Sequence, residues 1–376
     1  MEHGLVKQPQ YGSMHLPNGT IELPVFMPDA TLGVVRATDA SDLRNSRIQA
    51  LVMNTFHLMQ RPGTSTIQAL GGLHTMSGWT GPIITDSGGF QAYSLIQQNA
   101  KFGSLSSDGI TFKPESSDRK FQLTPEKAIQ LQMSYGSDII MCLDYCTHVD
   151  APAEIQEDAV KHTIAWARRS KKEFEHLLKQ KKLAEDKRPL LFGVIQGGGS
   201  EELRKRCAEA LLEIGFDGFG YGGWPLDKHG KLLTDIITYT RELIPAQYQM
   251  HALGVGHPNS IVELTRLGYG IFDCAMPTRD ARHARLYTFS DAVSSFAPSE
   301  KWFSYSYLND DKYIKNDRPV STHCDCLCCS NYSAGYLHHL FKINDTLFFR
   351  LATIHNLRFM TMLTERLREL YYAQDR

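Results

Sequence analysis

The chain has 376 residues, 42% of them hydrophobic and 22% charged, with 40 Lys and Arg against 41 Asp and Glu. This mixture excludes a disordered tail protein and a small disulfide scaffold, and it supplies material for a large core. A formal net charge of -1 gives no global field to recruit a polyanion, so a nucleic-acid partner requires a local basic patch.

Eight short apolar runs organise the sequence, each ending in a polar residue or glycine: PVFMP (24–28), ALVMN (50–54), PIITD (82–86), DIIMCLD (138–144), LLFGVIQ (190–196), FDGFGYGG (216–223), MHALGVG (250–256) and GIFDCAMP (270–277). Continuous apolar runs of this length read as strands buried on both faces, as in parallel sheets. Helical segments fill several gaps. Thr124 is an N-cap before Pro125 and KAIQLQMSYG, and Ser200 precedes EELRKRCAEALLEIG, with Gly215 as its C-cap. The charge-rich stretch 171–188 reads as the solvated end of a helix and its loop. Segments 231–244 and 258–268 are amphipathic, and a terminal helix over about 345–372 carries Met360, Leu363, Leu367 and Leu370 at helical spacing.

The alternation predicts an α/β fold, a (β/α)8 barrel over 1–289. A doubly wound nucleotide-binding sheet would want a glycine-rich turn after its first strand, and PDATLG offers none. Two stretches exceed a minimal barrel. Residues 87–123, rich in Gly, Ser and Phe, read as a hairpin or lid insertion. Residues 290–376 read as a zinc-binding subdomain and terminal helix packed on the barrel. No window approaches a transmembrane span of roughly 18 apolar residues, and the opening MEHGLVKQPQYGS lacks the apolar core of a secretory signal. A soluble cytoplasmic protein without membrane association is expected.

Cys324, Cys326, Cys328 and Cys329 crowd together, and crowded thiols in a cytosolic chain point to metal. Cys324, Cys326 and Cys329 supply three thiolates on a tight turn, with Cys328 the spare. Tetrahedral zinc needs a fourth ligand, for which His355 in the terminal helix is a better candidate than His323, His338 or His339. A Cys3His set has no open position, so one structural Zn2+ is expected.

Barrel active sites lie at the C-terminal strand ends. Asn54, Asp86, Asp144, Gln196, Gly222, Gly223, Gly254 and Asp273 fall there. Asp and Gln together complement a guanine-like edge, and glycines admit a flat ring close to backbone. Asp86 and Asp273 form a pair suited to glycosidic chemistry, one nucleophile and one acid/base. A metal-dependent hydrolase usually needs a His-x-His pair at a strand end, and none of the 15 histidines forms one. Basic residues gather after the eighth run as Arg279, Arg282, His283 and Arg285, a cluster able to hold phosphates and unpaired bases.

Together these segments resemble the tRNA-guanine transglycosylases, over nearly the whole chain. The matching pieces are NTFHLMQRPG (54–63), DSGGFQ (86–91), LTPEKAIQLQ, GSDIIMCLD (136–144), VIQGG (194–198), LGVGHP (253–258), FDCAMPTR (272–279) and the Cys324, Cys326, Cys329, His355 set. The resemblance is to the bacterial or eukaryotic catalytic-subunit type, which exchanges guanine at the wobble position of GUN-anticodon tRNAs for a free 7-deazaguanine base in queuosine modification. It implies Asp273 as nucleophile, holding the RNA covalently, and Asp86 as general acid/base. Asp144, Gln196, Gly222 and Gly223 would bind the base edge, with Ser87, Gly88, Gly89 and Phe90 beside it and Leu253 on its face. Gly254, Val255, Gly256, His257, Pro258, Asn259 and Ser260, with Thr278, Arg279, Asp280, Ala281 and Arg282, would contact the anticodon loop. The resemblance also implies a homodimer. A non-catalytic tRNA-binding subunit of the same family would be expected to lack Asp86 and Asp273, and both stand here in intact motifs.

Two departures bear on the incoming base. Bacterial relatives usually read Asp-Glu-Cys where this chain has Asp144-Tyr145-Cys146, and Leu-Ala-Val-Gly-Glu where it has Trp224-Pro225-Leu226-Asp227-Lys228. The groups that handle an aminomethyl substituent are rebuilt, which points to queuine over 7-aminomethyl-7-deazaguanine.

Overall fold

Each of the eight apolar runs forms a strand in the computed structural model, which describes residues 11–114, 120–293 and 301–372. The strands are β1 (Val25–Pro28), β2 (Leu51–Asn54), β3 (Ile83–Asp86), β4 (Ile139–Met141), β5 (Leu190–Ile195), β6 (Gly218–Tyr221), β7 (Gln249–Ala252) and β8 (Ile271–Cys274). They make one eight-stranded sheet in the order β1-β8-β7-β6-β5-β4-β3-β2, every paired neighbour parallel. A parallel bridge between Asp29 and Val52, with Ala30 N–H donating to the Val52 carbonyl at 2.7 Å, links β1 to β2 and brings the sheet round on itself. The predicted barrel is present. Its strands are apolar on both faces because one side chain fills the interior while the next meets the helices, and β1, β2, β4 and β6 are buried throughout.

The capped helices form where local chemistry places them. Thr124 accepts the Lys127 N–H and Pro125 opens the helix Pro125–Tyr135, which Gly136 ends in a left-handed conformation. Ser200 caps Glu201–Ile214 in the same way. The amphipathic segments are helical over Thr234–Glu242 and Pro258–Arg266, slightly shorter than their periodicity suggests. The charged stretch lies at the end of a long helix, Ala153–Lys181, and in the loop after it.

Segment 87–123 opens with the helix Gly89–Gln98, which the sequence reading did not include, and continues as three antiparallel strands over 103–106, 109–112 and 121–123. After β8 come a short helix, Met276–Arg282, the antiparallel pair 285–289 and 303–307, and the terminal helix Thr346–Tyr372. A separate apolar cluster around Leu286, Leu308, Leu337, Phe348 and Leu351 fills this last region. Parts of the expectations above at residues 1–10, 115–119, 294–300 and 373–376 lie outside the described residues. Among the described residues no helix is long and apolar enough to cross a membrane.

Candidate active site and metal centre

Strand alternation turns the terminal side chains of the barrel into one cleft. A cavity of about 320 Å³ opens over the C-terminal strand ends, walled by Asp86 at the end of β3 and Ser87 after it, Asp144 after β4, Gly222 and Gly223 after β6, and Asp273 on β8. Gly88, Phe90, Leu253, Gly254 and Trp224 also line it, and Gln196 reaches it through Asp144. Gly89 is buried just behind, where an added Cβ would lie 3.0 Å from the Asp144 carbonyl. Two glycines are required by geometry. Gly88 has φ +80 with the Phe56 backbone N 2.7 Å from where a Cβ would stand, and a Cβ on Gly222 would sit 2.5 Å from Gln196 Nε2.

Each carboxylate is held differently. Asp86 accepts from the Gly88 N–H at 3.0 Å and from Asn54 Nδ2 at 2.5 Å, while the Thr55 hydroxyl donates to its backbone carbonyl at 2.5 Å. Burial, reinforced by the negative charge of Asp273, pushes the Asp86 carboxyl up to about 8. Burial also raises Asp144, to about 6, and Gln196 Nε2 donating to it at 2.6 Å moderates the rise. The Gln196 Oε1 is buried without a partner among the described residues and so is available to a ligand donor. One oxygen of Asp273, Oδ1, accepts from the Gly254 N–H at 3.0 Å and from His251 Nε2 at 2.8 Å. Sequence reasoning did not single out His251. The usable signal was strand alternation, which places it two residues before Leu253 on the same face of its run.

A raised Asp86 has a consequence for stability. The folded state keeps a proton that the unfolded chain releases above the ordinary carboxylate range, so unfolding releases a proton and stability falls as pH rises towards about 8. Thermal melting between about pH 5 and 8 is expected to decline more steeply for the wild type than for Asp86→Ala. Parallel slopes would show that Asp86 ionises normally in the fold.

The expected contact residues for RNA divide by exposure. Arg279 is exposed and Arg282 half-buried, whereas Thr278, Asp280 and Ala281 are buried. Asp280 accepts from Arg285 Nη2 at 2.6 Å and from the Tyr287 hydroxyl at 2.5 Å, so its carboxylate is engaged within the protein. Gly254 and Asn259 are exposed, His257 and Ser260 half-buried, and Val255, Gly256 and Pro258 buried. The Tyr305 hydroxyl lies 3.3 Å from His257 Nε2, and Trp302 Nε1 donates to Asn259 Oδ1 at 2.7 Å, tying this loop to the strand 303–307.

Away from the cleft, ligand atoms of Cys324, Cys326, Cys329 and His355 lie within 4.8 Å of one another and could hold a metal ion. Cys326 also caps the short helix Leu327–Asn331 that carries Cys329. His355, fully buried, lies with Nδ1 3.2 Å from the Cys329 sulfur and 3.6 Å from that of Cys326. Its Nε2 donates to the Tyr287 carbonyl at 2.7 Å, which leaves Nδ1 free to ligate. The donor set fits a soft or borderline divalent ion in tetrahedral geometry. Cys328 faces the apolar cluster and is outside the set.

Comparison with known proteins identifies the family of the chain. The profile of the family described as Queuine tRNA-ribosyltransferase matches residues 7–373. A protein named queuine tRNA-ribosyltransferase from Thermoanaerobacter sp. is 38% identical over 97% of this chain and 90% of its own. One of the same name from Idiomarina loihiensis is 38% identical over 93% and 86%, and another from Halothermothrix orenii 36% over 95% and 88%. The chain belongs to the queuine tRNA-ribosyltransferase family.

Proposed function

We propose that this protein is a pentosyltransferase that exchanges guanine at the wobble position of GUN-anticodon tRNAs for a free 7-deazaguanine base. The observation that carries the reading is the convergence of Asp86 and Asp273 on one cleft that Asp144 and Gly223 also line, with Gln196 bonded to Asp144. Asp273 attacks the ribose C1′ as the bond to guanine breaks. The electron pair leaves with the base, which takes a proton from Asp86, a carboxyl still protonated at neutral pH because burial raises it to about 8. The incoming base then gives a proton to Asp86 as it displaces Asp273 from C1′. Asp144 and Gln196 read the base edge, and the target nucleotide leaves its stack to reach them. Arg279 and Arg282 hold the anticodon-loop backbone.

Cys324, Cys326, Cys329 and His355 would hold a zinc ion, whose four protein ligands would leave no open position, so it would pin the 324–329 turn to the terminal helix without entering the exchange.

The acceptor base is queuine. Trp224, Pro225 and Leu226 line the cleft, with the Trp224 ring centroid 4.9 Å from Phe90 and 5.4 Å from His148. Asp227 accepts instead from the backbone N–H groups of His229 and Lys231 at 2.8 and 2.9 Å in its own turn. This rim therefore offers an ammonium group aromatic and apolar surface in place of a carboxylate.

Exchange of labelled guanine into unmodified GUN-anticodon tRNA tests the activity, and its absence in folded, zinc-loaded protein would refute it. In competition, queuine is expected to inhibit that exchange at lower concentration than 7-aminomethyl-7-deazaguanine. The reverse order would remove the assignment of the acceptor base.

A further inference from the structure

We propose that His251 is a positioning residue for Asp273, and that its hydrogen bond favours return of the carboxylate from the sugar ester in the second half of the exchange. This rests on the reading of Asp273 as nucleophile.

The geometry is set by the barrel. His251 on β7 pairs with Ile271 on β8, so Asp273, two residues further, projects from the same face. His251 is 1% exposed, and its Nε2 lies 2.8 Å from Asp273 Oδ1. A carboxylate only accepts, so Nε2 carries the hydrogen. The other ring nitrogen, Nδ1, is buried with no partner among the described residues. The imidazole thus makes a single hydrogen bond, and it makes it to the carboxylate that faces the substrate. The Gly254 N–H donates to the same oxygen at 3.0 Å. Both donors converge on Oδ1, which makes Oδ2 the oxygen left for attack.

That asymmetry affects the two half-reactions differently. When Oδ2 bonds C1′ and guanine departs with the electron pair, Oδ1 becomes the carbonyl oxygen of a neutral ester and a weaker acceptor. When the incoming base bonds C1′ and gives its proton to Asp86, the C1′–Oδ2 pair returns to Asp273. Negative charge then reappears on Oδ1, opposite two N–H groups already in place. The His251 donor therefore stabilises the free carboxylate relative to the ester and keeps the covalent intermediate from accumulating.

The test compares wild type, His251→Leu, His251→Gln and Asp273→Asn by exchange turnover, KM for tRNA and the fraction of enzyme carried as a denaturant-stable tRNA adduct. His251→Leu is expected to lower turnover roughly 10- to 100-fold, the rate equivalent of one hydrogen bond to a charged group, with KM within about twofold. Its adduct fraction is expected to rise. His251→Gln, whose amide nitrogen reaches the same place, restores both. A purely structural role would lower turnover and adduct together and would overturn the proposal, as would wild-type behaviour of His251→Leu beside an inactive Asp273→Asn. If Asp273→Asn itself exchanges guanine, the nucleophile reading falls and this proposal with it. Should His251→Leu fail to fold, His251→Asn, too short to reach Oδ1, replaces it with the same expected outcomes.

Discussion

Asp273→Asn is expected to lower guanine exchange by roughly 10^4-fold or more, the scale on which removal of a covalent nucleophile acts. The change is nearly isosteric. The amide oxygen can still accept from the Gly254 N–H and His251 Nε2, so the fold and the cleft shape are retained. What disappears is the carboxylate proposed to form the bond to C1′ and the charge it would set against an oxocarbenium-like transition state. The same substitution removes the repulsion that helps raise Asp86, so the variant's Asp86 shifts down towards the ordinary carboxylate range. A denaturing gel of enzyme mixed with tRNA shows the adduct for wild type and none for the variant. A variant that retains exchange within tenfold would sink the two-carboxylate mechanism, however well its cleft were preserved.

Loss of the metal is the second large effect. Replacing Cys326 with alanine is expected to reduce zinc from one ion per chain to none and to lower the melting temperature by roughly 10 °C or more. The basis is the strength of a saturated thiolate–imidazole site, of which about 8 kcal/mol corresponds to a 10 °C shift in a chain of this size. The loss does not reach the full worth of a zinc-finger site, because the cluster around Leu286, Leu337 and Phe348 holds part of the region without metal. Exchange activity is expected to fall with the metal although no ligand approaches the cleft. Asn356, next to the ligand His355, donates to the carbonyls of Pro277 at 2.9 Å and Arg285 at 3.0 Å. Pro277 is four residues after Asp273, so a terminal helix that loosens releases the segment behind Asp273. Elemental analysis with melting of the wild type and Cys326→Ala checks this. An unchanged melting temperature in a zinc-free variant would show that the four side chains cluster for packing alone.

Much of the arrangement is legible in the sequence alone. Strands such as Ile83–Asp86 and Leu190–Ile195 were readable because a parallel barrel strand is buried on both sides and therefore apolar without interruption. The helices at Thr124 and Ser200 were readable because a cap acts within three residues of itself. The three short helices between β2 and β3, Thr55–Leu58, Thr64–Ala69 and Gly72–Ser77, were not anticipated, nor was Gly89–Gln98. These are short, glycine-flanked or partly exposed, and lack the long periodic face that marks Glu201–Ile214.

Sequence by itself determined the eight-fold alternation, the carboxylates that end its strands and the crowding of thiols beside a helical histidine. Each is a local pattern, written within a few residues by periodicity, capping or spacing. Only the tertiary structure decided that His251 meets Asp273, that Asp280 is spent on Arg285 and Tyr287, and that burial pushes the Asp86 carboxyl up. Those outcomes depend on strand register and burial, which bring residues from different strands and loops together and remove water from them. A hydrogen-bond partner or a shifted carboxyl is a property of that shared environment, which no single stretch of chain contains.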